Sequence, residues 1–337
     1  MPIDARIPDG RGLEPPSAMI AKKRRVIVRR ILLAAGTITA VYFALFFSER
    51  PRPAPGSVPI RVSELVEASG LAPSHHAPDM LWSHNDSGGQ PVLYGFATTG
   101  EPRGRIRIIG VKNIDWEAIS SFEMEGKAWI AIGDVGDNSD HRTAAVIHVI
   151  EEPPLDRLSP SHETIIPVAW SVAYRYEDGP HDCETLMVDS RLREFLLITK
   201  RTAVPGIYHL PLRPVQPAAL AVAKKIGTVG HVPQPNLKQK LFPVPAGRFR
   251  DYVTDGAISP DGLSAAILTY GDVLIYYREH NESWSTALQR EPQQLNPHGL
   301  QQGEAVCFSR DGKELFVTGE QKHPLLLRYA VPIHRGK

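Results

Sequence analysis

The chain has 337 residues, 42% of them hydrophobic and 22% charged, with 38 Lys and Arg against 37 Asp and Glu. That length holds one large domain or two ordinary ones, and a formal charge of +1 gives no global field, which argues against a dedicated nucleic-acid binder. Two cysteines, Cys183 and Cys307, are too few for a disulfide framework or a structural zinc site; two buried free thiols are expected ahead of a single bridge.

Residues 1–25 are rich in Pro, Gly and charge, lack an apolar period, and are expected to form a disordered basic cytoplasmic tail. Lys22, Lys23, Arg24, Arg25, Arg29 and Arg30 then border an uncharged run from Ile31 to Phe47. With Val26 to Val28 and snorkelling arginines it reaches bilayer length, so 26–48 reads as a transmembrane helix. Phe46-Phe47-Ser48-Glu49-Arg50-Pro51 is a poor cleavage site, which favours an uncleaved signal anchor. The basic residues precede the span. The N-terminus is therefore expected in the cytoplasm, and the rest of this single-pass membrane protein in the periplasm or outside the cell. Residues 49–58, rich in Pro, form a stiff linker.

From residue 59 to 337 strand signals dominate, and no long amphipathic helix interrupts them. Clear runs begin at Met80, Val92, Ala128, Val146, Phe195, Ala265, Val273 and Leu315, each bounded by Gly, Pro, Asn or Asp. Strands without alternating helices mean an all-β antiparallel domain. A loose repeat decides its architecture. Glu67-Ala-Ser-Gly-Leu, Asp115-Trp-Glu-Ala-Ile, Glu184-Thr-Leu-Met-Val, Gly256-Ala-Ile-Ser-Pro and Glu304-Ala-Val-Cys-Phe each open an inner strand that is followed by a strongly apolar second strand. Such units predict a β-propeller of five or six four-stranded blades. Five units are visible, and the poorly patterned stretch from His231 to Tyr252 leaves room for part of a sixth. The segment Ile60-Arg61-Val62 is expected to complete the last blade. Ser259-Pro-Asp-Gly262 and Ser309-Arg-Asp-Gly312 supply Asp-Gly hairpin turns.

In a blade, the second strand ends at the face where the first began. Residues opening the first strand and closing the second therefore crowd one mouth of the channel. Glu67, Asp115, Glu117, Asp182, Glu184, Asp255 and Glu304 form the expected cation-ligating ring. Asn85, Asp86, Asp134, Asp137, Asn138, Arg142, Lys200, Arg201, Tyr270 and Glu320 form the expected ligand-binding set around it. So many carboxylates need compensation, and calcium, which accepts six to eight oxygens in flexible geometry, suits them best. Simple backbone-binding roles remain the alternative for each single acid. The loop Gly133-Asp-Val-Gly-Asp-Asn138 reads either as part of this site or as a plain turn.

Glu67 to Ala72, Asn85 to Gly88, Asp115 to Ile119, Gly133 to Asn138, Asp182 to Leu186, Ser259 to Gly262 and Gly303 to Ala305 together resemble a group of largely uncharacterised bacterial β-propeller proteins. More distantly the chain is similar to gluconolactonase/paraoxonase-type calcium-binding propellers and to TolB-type propellers, both six-bladed. The first relation implies a channel cation and ester or lactone hydrolysis. Three functions are therefore expected in order. The first is binding of a cation with a small anionic ligand or protein partner. The second is metal-dependent hydrolysis of esters, lactones or phosphoesters, with a carboxylate, His84 or His181 as base and no assignable catalytic set. The third is a non-catalytic envelope scaffold.

Overall fold

The computed structural model describes residues 24, 27–33, 36–37, 39–41, 56–214, 216, 219–241 and 247–333. The chain divides into two units, residues 1–49 and 50–337. In the first, the described residues between 24 and 41 are helical and exposed. Among the described residues, no helix is long and apolar enough to cross a membrane. The remainder of the expected span, most of the basic tail and most of the linker lie outside the described residues.

The second unit is a ring of five antiparallel blades. Blade one is β2 (Ala68–Pro73), β3 (Met80–Asn85), β4 (Val92–Ala97) and β5 (Pro102–Ile109). Blade two is β6 (Trp116–Met124), β7 (Lys127–Asp134), β8 (Ala145–Glu151) and β10 (Trp170–Tyr176). Blade three is β11 (Cys183–Asp189), β12 (Glu194–Thr199), β13 (Gly206–Pro211) and β14 (Ala221–Thr228). Blade four is β15 (Val253–Ile258), β16 (Ser264–Thr269), β17 (Val273–Tyr277) and the short β18 (Gln293–Gln294). Blade five is β19 (Gly303–Phe308), β20 (Glu314–Gly319) and β21 (Leu325–Ala330), completed by β1 (Val58–Pro59), which pairs antiparallel with β21. The innermost strands contact one another in the cycle β2, β6, β11, β15, β19 and back to β2, so the ring closes with five members.

Two expectations are corrected here. The stretch from His231 to Tyr252 adds no blade: its described residues form only the short helix Leu237–Leu241 and the turn Gly247–Phe249. The closing strand lies two residues earlier than the Ile60–Val62 run. Ile60 and Val62 are instead buried, with Leu65, between blades five and one beside Phe96, Phe316 and Leu326. Their side chains are worth more as core than as an exposed edge rung.

Blade packing explains the strand patterns. Each blade is covered on both faces by its neighbours, so the second strands read as unbroken apolar runs, such as Leu196-Leu197-Ile198 of β12, all fully buried. Outer strands are half-covered and alternate; in β5, Gly104, Ile106 and Ile108 are buried and their neighbours are not. Five apolar clusters fill the five gaps between blades. Polar stitches cross the gaps as well. Asp189 of blade three accepts from Arg278 and from Trp284 Nε1, both at 2.8 Å. Trp82 of blade one donates to Glu152 at 2.8 Å.

The outer rim departs from four-fold blades. An excursion after β8 sends β9 (Glu163–Pro167) to pair parallel with β5, giving blade one a fifth strand. The outer strands β10 and β14 also pair in parallel, which joins blades two and three into one eight-stranded sheet. Both Asp-Gly turns form as expected, with Gly262 at φ 69° and Gly312 at φ 71°. Cys183 and Cys307 are free and buried in blades three and five.

Candidate functional site

Each of the five inner strands carries one extra residue near its start, where the register against the second strand shifts. Such a bulge bends the strand and re-aims a side chain. In β6, β11, β15 and β19 the extra residues are Glu117, Glu184, Thr254 and Glu304, and in β2 the shift covers Ser69 and Gly70. Gly70 adopts φ +115°, and a Cβ there would press on the backbone of Ile119 in the next blade. One step outward lie the residues leaving the second strands: Asp86, Val135, Lys200, Tyr270 and Glu320. Each donates its backbone N–H to the carbonyl that precedes the neighbouring inner strand, at 2.9–3.2 Å: Glu67, Asp115, Asp182, Tyr252 and Gln302 in turn. These two tiers make up the acidic mouth.

On one side of the mouth, Asp86, Asp115 and Glu117 each present an oxygen, all within 4.8 Å of one another. Glu117 is only 5% exposed, and Ser69 donates to its Oε2 at 3.1 Å. Asn113 holds the two chain segments in place, donating to the Asp86 and Asn85 carbonyls and accepting from Trp116 N–H. Burial, then the Asp86 charge, pushes the Asp115 carboxyl up to about 6. The same causes, in the same order, together with Asp115, hold Glu117 well above the ordinary glutamate value. The donor set is oxygen only, which fits a hard cation such as calcium and does not fit zinc or copper.

On the other side, Lys200 is 2% exposed and serves as the counter-charge. Its ammonium donates to Glu184 and, at 2.9 Å, to the Tyr270 hydroxyl, and lies 3.9 Å from Glu304. Burial alone would lower the Lys200 ammonium, but Glu184 and Glu304 outweigh it and hold it above the ordinary lysine value. Burial, then Glu304, raises Glu184. Glu304 is raised by burial, with Lys200 opposing, and its buried Oε2 has no hydrogen-bond partner. Glu320, which accepts from Gln302 at 2.6 Å, is pushed up to about 7 by burial, then by Glu304.

The remaining expected residues divide. Asp255 is not on the channel: it sits one place beyond Thr254, fully buried, accepting from Val306 and Gly256 N–H groups and so fastening β15 to β19. Thr254 takes the channel position and donates to the Gly303 carbonyl at 2.6 Å. Glu67 is exposed above the mouth. The Asn85 side chain is consumed by Val66 and Glu67 N–H and the Glu64 carbonyl. Asp134 accepts from Arg142 at 2.7 Å, and Asp137 from the His141 and Arg142 N–H groups. The carboxylates of Asp134 and Asp137 are thus satisfied largely within the 133–142 loop, Asp140 accepts from Asp182 N–H, and Asn138 is exposed. Asp182 accepts from Asp137 N–H and from Arg201, which also lies 3.9 Å from Glu184. Neither expected histidine reaches the acids as a base. His84 is buried against Trp116 with its pKa lowered by desolvation to about 4. His181 binds Asp178 and the Tyr208 hydroxyl, both at 2.9 Å, beside a separate cavity of about 220 Å³. Ser69 and Asn113 escaped the sequence reading, although Asn113 stands only two residues before Asp115.

No protein-family model matches the chain, and no curated protein matches it. Among solved structures, a gluconolactonase from Xanthomonas campestris is similar at 13% identity, with 82% of this chain and 99% of that chain covered and a TM-score of 0.41. A luciferin-regenerating enzyme is similar at 12% identity over 82% and 96% of the two chains, TM-score 0.40. A putative 6-phosphogluconolactonase from Bacteroides uniformis is similar at 12% identity over 79% and 68%, TM-score 0.37.

Proposed function

We propose that the acidic mouth binds a divalent cation, calcium by preference, on Asp86, Asp115 and Glu117. The cation and Lys200 together would receive an oxygen-rich or anionic ligand, free or presented by a protein partner. One observation carries this reading: three carboxylate oxygens converge within 4.8 Å on the channel wall. The buried Oε2 of Glu304, which has Lys200 at 3.9 Å but no hydrogen-bond partner and whose carboxyl feels the charge of Asp86, supports it from across the same mouth. Residues 26–48 would anchor the propeller to a membrane, with the basic tail cytoplasmic and the propeller outside.

The test is thermal unfolding of residues 56–337 after chelation, with calcium, magnesium or zinc added back. A ligand confined to the folded state adds about 2.7 kcal/mol at roughly a hundredfold excess over its Kd. Calcium is expected to give such a gain and Glu117→Gln to remove it. In chelator the same substitution is expected to stabilise the protein, because it removes a charge from a crowded, buried site. The pH dependence follows from raised folded-state carboxyls. Without calcium, burying Asp115 and Glu117 costs increasing stability as pH rises from the ordinary carboxylate range through about 6. The calcium gain should therefore be larger at pH 8 than at pH 5. A gain that ignores Glu117→Gln would move the cation elsewhere, and no gain with any metal would end this reading.

A metal-dependent hydrolase is the second reading, and Glu320 favours it. A mouth carboxyl held at about 7 is matched to general-base work at neutral pH. Calcium-dependent hydrolysis of a δ-lactone or p-nitrophenyl ester is then expected to rise with pH through about 7, and Glu320→Gln to abolish that limb. Activity that Glu320→Gln leaves untouched would exclude Glu320 as the base.

A further inference from the structure

The inner strands run away from the acidic mouth and end at the other face of the ring. There the channel widens into a cavity of about 360 Å³, lined by the ends of β2, β6, β11, β15 and β19 and by the hairpin turns that follow. Its volume falls within the usual range for small-molecule sites, about 300–1,000 Å³. Leu71, Ile119 and Cys307 supply apolar wall, and Arg191 and Arg310 stand among the lining residues in the turns after β11 and β19.

The acids that crowd the other mouth are fewer at this end, where Arg191 and Arg310 line the cavity with Glu123 and Asp189. The Arg191 guanidinium forms no ion pair among the described residues. The carboxylate nearest to it in sequence, Asp189, is already saturated: Oδ2 accepts from Arg278 and Trp284, and Oδ1 from the backbone N–H groups of Arg191 and Leu192. Asp261 and Asp311 turn inward on their own hairpins, each accepting from the serine two residues before it. Among the described residues Arg310 has only long contacts, an ion pair with Glu123 at 3.4 Å and His75 Nε2 at 3.5 Å. Arg191 and Arg310 thus meet one lining carboxylate that is not already saturated, Glu123, at an opening with an apolar wall.

We propose that this cavity is a second ligand site, separate from the cation site, that takes a small organic anion: a phosphonate, phosphate monoester or carboxylate bearing an apolar body. The head group lies toward Arg191 and Arg310 and the body against Leu71 and Ile119. Guanidinium suits such head groups because its planar fork forms charge-assisted hydrogen bonds to phosphate and carboxylate oxygens. One mouth of the channel then holds a metal cation, and the other takes an organic anion directly on guanidinium groups.

The experiment is calorimetric titration of the full-length protein in detergent, with EDTA present, using phenylphosphonate as the probe and inorganic phosphate as the head group alone. Phenylphosphonate is expected to saturate one site and to bind more tightly than phosphate. Arg191→Gln and Arg310→Gln are each expected to weaken it about tenfold, the loss of one charge-assisted contact. Arg191 is exposed and Arg310 half-buried, so an unchanged thermal midpoint in each variant ties the loss to the site. Glu117→Gln, at the other mouth, is expected to change nothing. Absence of saturable binding, binding undiminished in the double arginine variant, or binding that Glu117→Gln abolishes would each overturn the proposal. Because EDTA is present throughout, the outcome does not depend on whether the cation site exists.

Discussion

Lys200→Met is expected to lower the stability of the propeller by about 3–5 kcal/mol at pH 7, the cost of removing one partner from a buried ion pair. Lys200 is 2% exposed, and its two acidic neighbours, Glu184 and Glu304, are each 4% exposed. Without the ammonium, neither carboxylate has a counter-charge at contact distance among the described residues other than Arg201, 3.9 Å from Glu184. They must then ionise unpaired or take up protons. Both are already raised in the folded protein, and loss of Lys200, which lowers them, raises them further. A group whose folded pKa lies above its unfolded value of about 4.3 destabilises progressively as pH rises past that value. The gap between wild type and variant should therefore be small near pH 5 and large at pH 8. Urea unfolding at the two pH values measures it. Adding Glu184→Gln to Lys200→Met should recover part of the loss, since these contacts are coupled rather than additive. A loss below about 1 kcal/mol, or one independent of pH, would mean that the carboxylates are relieved by something other than Lys200.

A propeller that begins at Gly56 is expected to fold, and one that begins at Glu67 is not. The eleven intervening residues carry β1, the fourth strand of blade five, and the side chains of Ile60, Val62 and Leu65, which are 3%, 6% and 0% exposed. Each buried side chain contributes about 1.5–3 kcal/mol, against a typical total of about 5–15 kcal/mol. Their loss also uncovers Phe96 and Phe316 at the junction of blades five and one, the place where the ring closes. The shorter chain should therefore lose its cooperative urea transition and associate in size-exclusion chromatography. A monomer with an unchanged midpoint would show that the ring closes without its first strand. Gly100 bears on the same contact: its φ is +89°, and a Cβ there would meet the Pro59 carbonyl.

Local chemistry wrote much of this into the sequence. Strand positions were legible because apolar runs bounded by Gly, Pro and Asp encode extended backbone wherever they occur, and the Ser-x-Asp-Gly turns close on themselves. Glu117, Glu184 and Glu304 were legible as members of one acidic ring because each lies at or just after the opening of a repeat, but their equivalence came from the bulges at which the register shifts. Tertiary structure decided what depends on register and closure. A bulge of one residue reverses the direction of a side chain, so Asp255 turned into the gap between blades four and five while Thr254, which carries no charge, took the channel position. Lys200 finds Glu184, Tyr270 and Glu304 at separations of 16, 70 and 104 residues, which no local pattern records. The blade number was set by whether β2 could meet β19, a matter of blade twist and of the apolar strap from Ile60 to Leu65. The cavity at the other face was invisible for the same reason: its arginines belong to separate turns, brought together only when five inner strands end at one face.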